Sequence, residues 1–412
     1  MEVWGDEPRA NFGLSIGVLD DIDGDAVREI VVGANELPLP VPGRAWPEGR
    51  NRPGAVVVSG KTRAILARIR GDEGWSSSGF AFDVSGAGDA DRDGRADIAI
   101  GSPILDVVAA MAAEPRFRED GSGGVELRSA ADGSRIWQVA GDPGQIMFGA
   151  CVTTVGDLDG DGCVDLAVGE IDTRDSGRGI ALLSGRTGER IGSLELPPHE
   201  CEFATEFGTA IDRTGDFDGD RLRDVIIGAP ELCRGPDRSV GAVLVYSAKT
   251  AAVLHRFDGT AAWQHFGCSV AGVGDVDGDG ADEIAVGARG EKQGGPFSGA
   301  AYVISVRTGT RLHRWQGPPN SEFGYAVGSA GDFDADGVPD VFVGAAHEPV
   351  DPKKRGKTTV YSGKDGSHLA QEFGYAAVCV GDVNGDGGDD LAVGNHSEDD
   401  GRGVVRILLG RR

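Results

Sequence analysis

Short apolar runs recur along the chain, and each follows a stretch in which aspartates occupy alternate positions. Runs such as 30–32 and 225–227 are apolar at every position, whereas a half-buried strand would alternate. A run of small and β-branched residues follows, as in 241–246, and a last segment comes after a Thr-Gly or Asp-Gly turn. The pattern predicts units of four short strands whose second strand is covered on both faces, as in sheets stacked around an axis.

Seven such units follow one another. Each begins with a phenylalanine nine positions before its first aspartate, and the first aspartates are separated by 68, 68, 59, 59, 57 and 50 residues. The phenylalanines are Phe12, Phe80, Phe148, Phe207, Phe266, Phe323 and Phe373. The acidic loops occupy residues 21–29, 89–97, 157–165, 216–224, 275–283, 332–340 and 382–390. Because the units cover nearly the whole chain, residues 1–412 are predicted to form one repeat domain.

The two ends of the chain complement each other. The seventh unit has a third strand at 402–410 and no fourth, while residues 3–5 resemble the fourth-strand segment 314–317. A strand from the N-terminus would complete the last unit and remove the unpaired edges of an open ring. The predicted fold is all-β: a seven-bladed β-propeller of four-stranded antiparallel blades, closed by the N-terminal strand.

The acidic loops carry oxygen ligands at regular spacing. In the loop that starts at Asp275, acids stand at positions 1, 3, 5 and 9, and position 7 offers a backbone carbonyl. Hard oxygen ligands at this density favour Ca²⁺ over Zn²⁺. The predicted ligands are Asp21, Asp23, Asp25, Val27 and Glu29; Asp89, Asp91, Asp93, Arg95 and Asp97; Asp157, Asp159, Asp161, Cys163 and Asp165; Asp216, Asp218, Asp220, Leu222 and Asp224; Asp275, Asp277, Asp279, Ala281 and Glu283; Asp332, Asp334, Asp336, Val338 and Asp340; Asp382, Asn384, Asp386, Gly388 and Asp390. The sequence thus predicts up to seven structural Ca²⁺ ions, one in each blade.

A metal-free turn rich in aspartate is the alternative for any single loop. Seven copies favour a cation, because like charges this close repel one another strongly. The loops supply 27 acidic side chains, which accounts for the size of the net charge of −26. We expect weaker sites in blades one and four, where Ala26 and Arg221 stand at position 6 and glycine would ease a left-handed turn.

Taken together, the repeated Phe-Gly, the acidic loop and the Gly-Ala-Pro-like segment resemble the FG-GAP repeats of the integrin α-subunit head and its prokaryotic relatives. Six phenylalanines are followed by glycine, and the full Gly-Ala-Pro stands at 228–230. The resemblance implies a propeller whose ligands bind on the face opposite the acidic loops.

The longest connections, 35–54 and 102–124, are predicted to lie on that opposite face. They offer a candidate partner surface: Arg44, Trp46, Arg50, Arg116, Phe117 and Arg118. The alternative is that long surface loops merely tolerate insertion. Trp75 and Trp263 fall in connections between blades on the same face, where we expect them to pack onto the next blade instead of stacking on sugars.

Two cysteines, Cys201 and Cys233, fall in blade-four connections on one face, so a disulfide between them is a hypothesis that would imply an oxidising compartment. An extracellular, periplasmic or cell-surface location is expected, although no signal peptide is visible in this chain. The net charge argues against nucleic-acid binding, and no apolar stretch is long enough to insert into a membrane.

Catalytic motifs are absent from the sequence, so a non-enzymatic protein is expected. The first hypothesis is a monomeric, calcium-stabilised platform for protein interaction or adhesion. A glycan-binding, lectin-like propeller is the alternative, and an enzyme with its site in the central channel is the weakest one. Because propellers host many functions, the fold does not decide among them.

Overall fold

The computed structural model describes residues 2–5, 10–34, 54–71, 80–103, 123–142, 147–170, 179–199, 201, 205–347 and 356–411. These residues form seven antiparallel sheets of four strands each, and in six of them consecutive strands follow one another as a meander. The predicted seven-bladed β-propeller is confirmed.

Six blades are built from consecutive strands. Blade one contains β2 (Phe12–Leu19), β3 (Glu29–Ala34), β4 (Gly54–Val58) and β5 (Ile65–Arg70), and blade two contains β6 (Asp83–Gly86), β7 (Asp97–Ser102), β8 (Gly124–Ser129) and β9 (Arg135–Ala140). Blade three contains β10 (Val152–Gly156), β11 (Asp165–Gly169), β12 (Ile180–Leu183) and β13 (Arg190–Leu194), and blade four contains β14 (Ile211–Arg213), β15 (Val225–Ala229), β16 (Ala242–Tyr246) and β17 (Val253–Asp258). Blade five contains β18 (Phe266–Gly274), β19 (Glu283–Ala288), β20 (Ala300–Ser305) and β21 (Arg311–Gln316), and blade six contains β22 (Phe323–Gly331), β23 (Asp340–Ala345), β24 (Lys357–Tyr361) and β25 (His368–Glu372).

Blade seven joins the two ends of the chain. Its strands β26 (Ala376–Gly381), β27 (Asp390–Asn395) and β28 (Val404–Leu408) are completed by β1 (Glu2–Trp4), which pairs antiparallel with β28. Arg406 lies opposite Glu2 and donates to its Oε1 at 2.8 Å, and it pairs through two further nitrogens with Glu398 at 2.7 Å. Glu398 starts a short turn, residues 398–401, in which Asp399 and Asp400 adopt left-handed backbone conformations. The predicted closure by the N-terminal strand is therefore confirmed.

The core lies between neighbouring blades. The second strands are buried along nearly their whole length, as in β7 and β19, whereas the fourth strands, such as β17, alternate toward solvent. One cluster joins Leu127 of blade two to Phe148 and Val168 of blade three. Burial of second strands on both faces is what the uninterrupted apolar runs predicted.

The repeated glycines let the backbones of adjacent blades touch. A Cβ placed on Gly287 of β19 would lie 2.0 Å from the carbonyl oxygen of Gly324, the glycine that follows Phe323 in the next blade. The corresponding distances at Gly101 and Gly228 are 2.1 and 2.0 Å, again to the carbonyl of the next Phe-Gly glycine. At these three interfaces the second-strand glycine of one blade and the Phe-Gly glycine of the next blade thus form a backbone contact that no side chain can enter.

This contact predicts the effect of a single methyl group. Gly287→Ala is expected to lower the free energy of unfolding by about 2–3 kcal/mol, because two backbones must separate to admit the new Cβ. Gly344→Ala is the matched control: it occupies the same position in blade six, but its Cβ would meet only the Ala326 side chain, at 3.1 Å. We expect a cost below about 1 kcal/mol there. Equal denaturation midpoints for the two variants would contradict the inter-blade contact.

Candidate metal centres in the acidic loops

The acidic loops connect the first and second strands of the seven blades, so they share one face of the ring with the turns between third and fourth strands. In every loop the position 1 carboxylate accepts hydrogen bonds from the backbone N–H groups of positions 5 and 6; around Asp275 these measure 3.0 and 2.9 Å. The chain therefore wraps tightly around its first aspartate.

The predicted carbonyl ligands at position 7 are held by a second bond common to all seven loops. The N–H of that residue donates to Oδ1 of the position 5 aspartate, at 2.8–3.0 Å. Positions 1, 5 and 7 are thus fixed relative to one another by the loop itself. The second oxygen of position 5, Oδ2, is left for another partner.

Two positions of each loop adopt left-handed backbone conformations. The residues at position 6 have φ between 67° and 96°, and Ala26 and Arg221 adopt this conformation as well, as the expectation of weaker sites assumed. Position 4 is left-handed too, which sequence reasoning missed, and there Arg92 of blade two and Ala335 of blade six replace glycine. Blades three, five and seven alone have glycine at both positions. The strain considered for blades one and four therefore extends to blades two and six.

Carboxylate oxygens converge within the loops. Among the described residues, groups of three acids lie with one ligand atom each within 4.8 Å of the others, as at Asp275, Asp277 and Asp279. Further groups include Asp21, Asp23 and Glu29; Asp89, Asp91 and Asp97; Asp157, Asp159 and Asp165; and Asp216, Asp218 and Asp220. Each of these groups belongs to a loop that the sequence predicted.

Several of these oxygens are buried without a hydrogen-bond partner in the part of the chain that the structure describes. They are Oδ2 of Asp25 and Asp220 at position 5, and Oε2 of Glu29, Oδ1 of Asp97 and Oε1 of Glu283 at position 9. A buried acceptor without a donor costs about 1–3 kcal/mol, and more when it is charged. These unpaired oxygens fit a bound cation, which would supply the missing partner.

The acids at position 9 are the most perturbed. Burial, reinforced by the negative charge of the other loop carboxylates, raises the pKa of Glu29, Asp97, Asp224, Glu283 and Asp340 to about 7. Burial also raises the pKa of Asp165 and Asp390. By contrast, the backbone N–H groups around Asp21 lower its pKa. Carboxylates gathered in this way lack the positive charge that would stabilise them in ionised form.

The residues present therefore fit a hard divalent cation. Positions 1, 3, 5 and 9 would supply carboxylate oxygens, or an amide oxygen from Asn384, and position 7 would supply its carbonyl. When bound, such an ion would hold the first and second strands of a blade together. In blades three, six and seven, position 9 also accepts from the glycine after the third strand, as Asp340 does from Gly363 at 3.0 Å.

The predicted partner residues Arg44, Trp46, Arg50, Arg116, Phe117 and Arg118 lie outside the described residues, as does Trp75. Trp263 is described, and the expectation that it packs onto the next blade is wrong in part, because 48% of its surface is exposed. Phe297, in the next connection on that face, is 53% exposed. Both residues have positive φ, 62° and 46°, a left-handed backbone conformation that costs free energy in non-glycine residues.

The sulfur atoms of Cys201 and Cys233 lie at bonding distance, 2.06 Å, with the two Cα atoms 5.6 Å apart. Both cysteines pack against the cluster that contains Phe207 and Leu232. Formation of this disulfide in the isolated protein stays a prediction. Cys151, Cys163, Cys268 and Cys379 are free.

The central channel contains a cavity of about 600 Å³ lined by first-strand residues, including Asp83 and Cys151. Burial raises the pKa of Asp83 to about 6, but its Oδ2 accepts from the N–H of Val152, which ties blade two to blade three, and its Oδ1 accepts from the N–H of the adjacent Val84. Burial also raises the pKa of the Cys151 thiol well above its usual range, so the sulfur is a poor nucleophile. These groups stabilise the ring.

No helix within the described ranges is long and apolar enough to cross a membrane.

Comparison with known proteins gives matches of two kinds. The model of the FG-GAP repeat matches residues 266–304, 323–361 and 374–408, which correspond to blades five, six and seven. Integrin alpha-V of Gallus gallus is 32% identical over 206 residues, covering 46% of this chain and 19% of the relative. Integrin alpha-PS2 of Drosophila melanogaster is 33% identical over 170 residues, covering 38% of this chain and 12% of the relative.

A longer match covers most of the ring. Integrin alpha-IIb of Mus musculus is 28% identical over 314 residues, which covers 67% of this chain and 27% of the relative. The chain thus matches less than a third of the length of these three relatives.

Proposed function

The chain belongs to the FG-GAP-repeat family of seven-bladed β-propellers, and from this premise we propose that it is a calcium-stabilised platform for protein interaction or adhesion. The acidic loops would bind Ca²⁺ and hold the blades, and the opposite face would bind the partner. We further propose that the protein works outside the cytoplasm, and that its role is binding and not catalysis.

Calcium binding is supported by the unpaired buried oxygens of the loops. Asp25 Oδ2, Asp220 Oδ2 and three oxygens at position 9 have no donor within reach. Oxygen ligands alone, with up to four carboxylates in each loop, are the set that Ca²⁺ prefers, since it takes six to eight oxygens in flexible geometry. Mg²⁺ demands a stricter octahedron and keeps its water more firmly, so it is the weaker candidate.

The observation that carries the interaction role is the pair of exposed aromatic residues on the face away from the acidic loops. Trp263 and Phe297 stand on connections from the fourth strand of blade four and from the second strand of blade five. Aromatic side chains offer a large contact area on only two rotatable bonds, so they lose little entropy on binding and are enriched among interface anchors. The resemblance to integrin α subunits supports a protein partner on this face.

The test is to probe an array of extracellular proteins and a glycan array with the calcium-loaded chain, the Trp263→Ala/Phe297→Ala variant and a control. We expect the wild-type protein to bind a protein target and the double variant to lose at least tenfold in affinity, since each aromatic anchor is worth ~1 kcal/mol or more. Val253→Ala is the matched control, because Val253 is 40% exposed but lies on the outer strand β17. Undiminished binding by the double variant would exclude this surface.

A glycan ligand is the second candidate, favoured by the exposed ring of Trp263. Binding to the glycan array and not to proteins, lost in Trp263→Ala or in Trp46→Ala, would favour it over the protein-interaction platform. An enzymatic role for the central channel is the weakest candidate, because the carboxylate of Asp83 is engaged in holding two blades together.

A further inference from the structure

The turn between the third and fourth strands carries a basic residue in five blades. It stands two positions after the serine that ends the third strand or follows it, as Lys61, Arg186, Lys249, Arg307 and Lys364; blade two has Ala131 instead. These turns lie on the same face as the acidic loops. A positive side chain is therefore available beside most of the loops that hold the negative charge.

Three of the basic side chains contact the acidic loop of their own blade at one position. Lys364 Nζ lies 3.2 Å from Oδ2 of Asp336, and Arg307 Nη1 lies 3.6 Å from Oδ2 of Asp279 while donating to its carbonyl at 3.0 Å. Lys61 Nζ donates to the carbonyl oxygen of Asp25 at 3.1 Å. Asp25, Asp279 and Asp336 all stand at position 5, so the contact recurs at one site in the loop.

The basic group faces Oδ2 of the position 5 aspartate, the oxygen that accepts no hydrogen bond from the loop backbone. Oδ1 of Asp336 already accepts from the backbone N–H of Val338 at 2.9 Å, so Oδ2 is its remaining acceptor. In blades one and four the same oxygen, Oδ2 of Asp25 and Asp220, is buried without a partner. Position 5 therefore exists in two states in one molecule: unpaired in blades one and four, and facing a basic side chain in blades five and six.

We infer that Arg307 and Lys364 are affinity-setting residues, tethered cations that compete with a divalent ion for the position 5 carboxylate of their loops. The inference rests on the proposed calcium binding and adds a ranking of the loops by their affinity for the divalent ion. The basic side chain stabilises the metal-free loop, and the divalent ion binds against its charge.

Two electrostatic contributions decide whether the basic side chain weakens divalent binding: the ion pair in the metal-free loop and the repulsion between the side chain and the bound ion. An ion pair stabilises a loop by little when its basic member remains largely in solvent, as Arg307 and Lys364 do at 59% and 60% exposure. Repulsion between a single and a double positive charge sharing one carboxylate is larger, even at the dielectric constant of water. Removing the basic charge should thus strengthen divalent binding, by roughly fivefold at low ionic strength.

The test uses hydrogen exchange of the full chain at a series of buffered free-calcium concentrations, with Lys364→Gln as the variant. The midpoint of calcium-dependent protection in residues 332–340 reports loop six, and that of residues 216–224 reports loop four as an internal reference. We expect the loop-six midpoint to fall about fivefold in Lys364→Gln while the loop-four midpoint stays in place. Arg307→Gln should shift residues 275–283 in the same direction, and 0.5 M NaCl should shrink both shifts.

Lys249→Gln is the matched control. Lys249 occupies the same turn position in blade four, but it makes no ion pair or hydrogen bond among the described residues, and Oδ2 of Asp220 has no partner. We expect this substitution to move the loop-four midpoint less than twofold. A larger shift than that of Lys364→Gln on loop six would overturn the inference, because the contact would then be irrelevant.

Failure of the affinity-setting role and failure of calcium binding give different results in this experiment. Calcium-dependent protection that appears in loop six, with the same or a higher midpoint in Lys364→Gln, overturns the affinity-setting role and leaves calcium binding intact. Absence of calcium-dependent protection in all loops of the wild-type protein overturns calcium binding, and the inference with it. The substituted side chains are on the surface, so unchanged melting of the chelated variants will show that the fold is retained.

Discussion

Removing calcium with a chelator is expected to lower the melting temperature of the protein by about 20 °C. A site filled at one hundred times its dissociation constant stabilises the folded state by about 2.7 kcal/mol, so seven sites contribute up to about 19 kcal/mol. Unfolding entropy of about 2.1 cal/mol/K for each residue converts this free energy into the shift in temperature for a chain of 412 residues. Circular dichroism or scanning fluorimetry in 1 mM CaCl₂ and in excess chelator measures it.

The large effect has a structural reason beyond the number of sites. Each loop joins the first strand, which lines the channel, to the buried second strand. Repulsion among the carboxylates of a metal-free loop therefore destabilises the pairing of these two strands. The buried position 9 acids, with pKa values raised to about 7, must either carry a charge without a partner or take up a proton in the chelated protein near neutral pH. MgCl₂ at the same concentration is the control, and we expect it to restore less than half of the shift. Superimposable melting curves with and without chelator would refute the metal centres.

The sequence was sufficient for the fold because the repeats make every local signal appear seven times. The apolar runs at 30–32 and 225–227 predicted strands that are buried on both faces, and β3 and β15 are buried in this way. The missing fourth strand of the last unit predicted the pairing of β1 with β28. Both predictions rest on the number of strands in each repeat and on the spacing of apolar residues within a strand. Neither requires knowledge of which side chains are in contact.

Conformations inside the loops were harder to predict. Glycine stands at position 4 of five loops, a signal as visible as that at position 6, yet its left-handed conformation went unrecognised. Alternating acids in a turn indicate metal ligands, but they do not indicate the backbone conformation of the turn. In the structure that conformation is shaped by the hydrogen bonds that Asp275 accepts from the N–H groups of positions 5 and 6. The position 5 contacts of Arg307 and Lys364 depend on how the turn after β20 or β24 approaches the loop, which strand counting does not describe.

The sequence also did not indicate why the glycines recur in each repeat. The sequence indicated no packing role for the glycines of the Phe-Gly and Gly-Ala-Pro segments, but Gly287 and Gly324 belong to different blades and meet across the interface. Their pairing is a long-range contact, because 37 residues separate them along the chain. Composition gave no indication of it. The exposure of Trp263 likewise depends on the path of a short connection and not on its residue type.

Breaking the predicted disulfide should have the second-largest effect on stability. The Cys201→Ser/Cys233→Ser variant is expected to lose about 3.5 kcal/mol, because a crosslink across 32 residues restricts the unfolded chain by about that amount. For a chain of this length the loss corresponds to a melting temperature lower by about 4 °C. The linked connections border the blade-four core near Phe207, so slippage there would also loosen that cluster. Thermal unfolding of both proteins in calcium measures the difference.

Reductant separates the crosslink from the substitution itself. Reduced wild-type protein should melt at the temperature of the double variant, and the double variant should be insensitive to reductant, since its four other cysteines are free in the structure. Peptide mapping without reductant gives the direct evidence, a linked pair of peptides that contain Cys201 and Cys233. Recovery of both thiols in free form from protein made in an oxidising compartment would reject the pairing. A linked pair whose reduction leaves the melting temperature unchanged would show instead that the 32-residue connection is already ordered by its packing on the blade-four core.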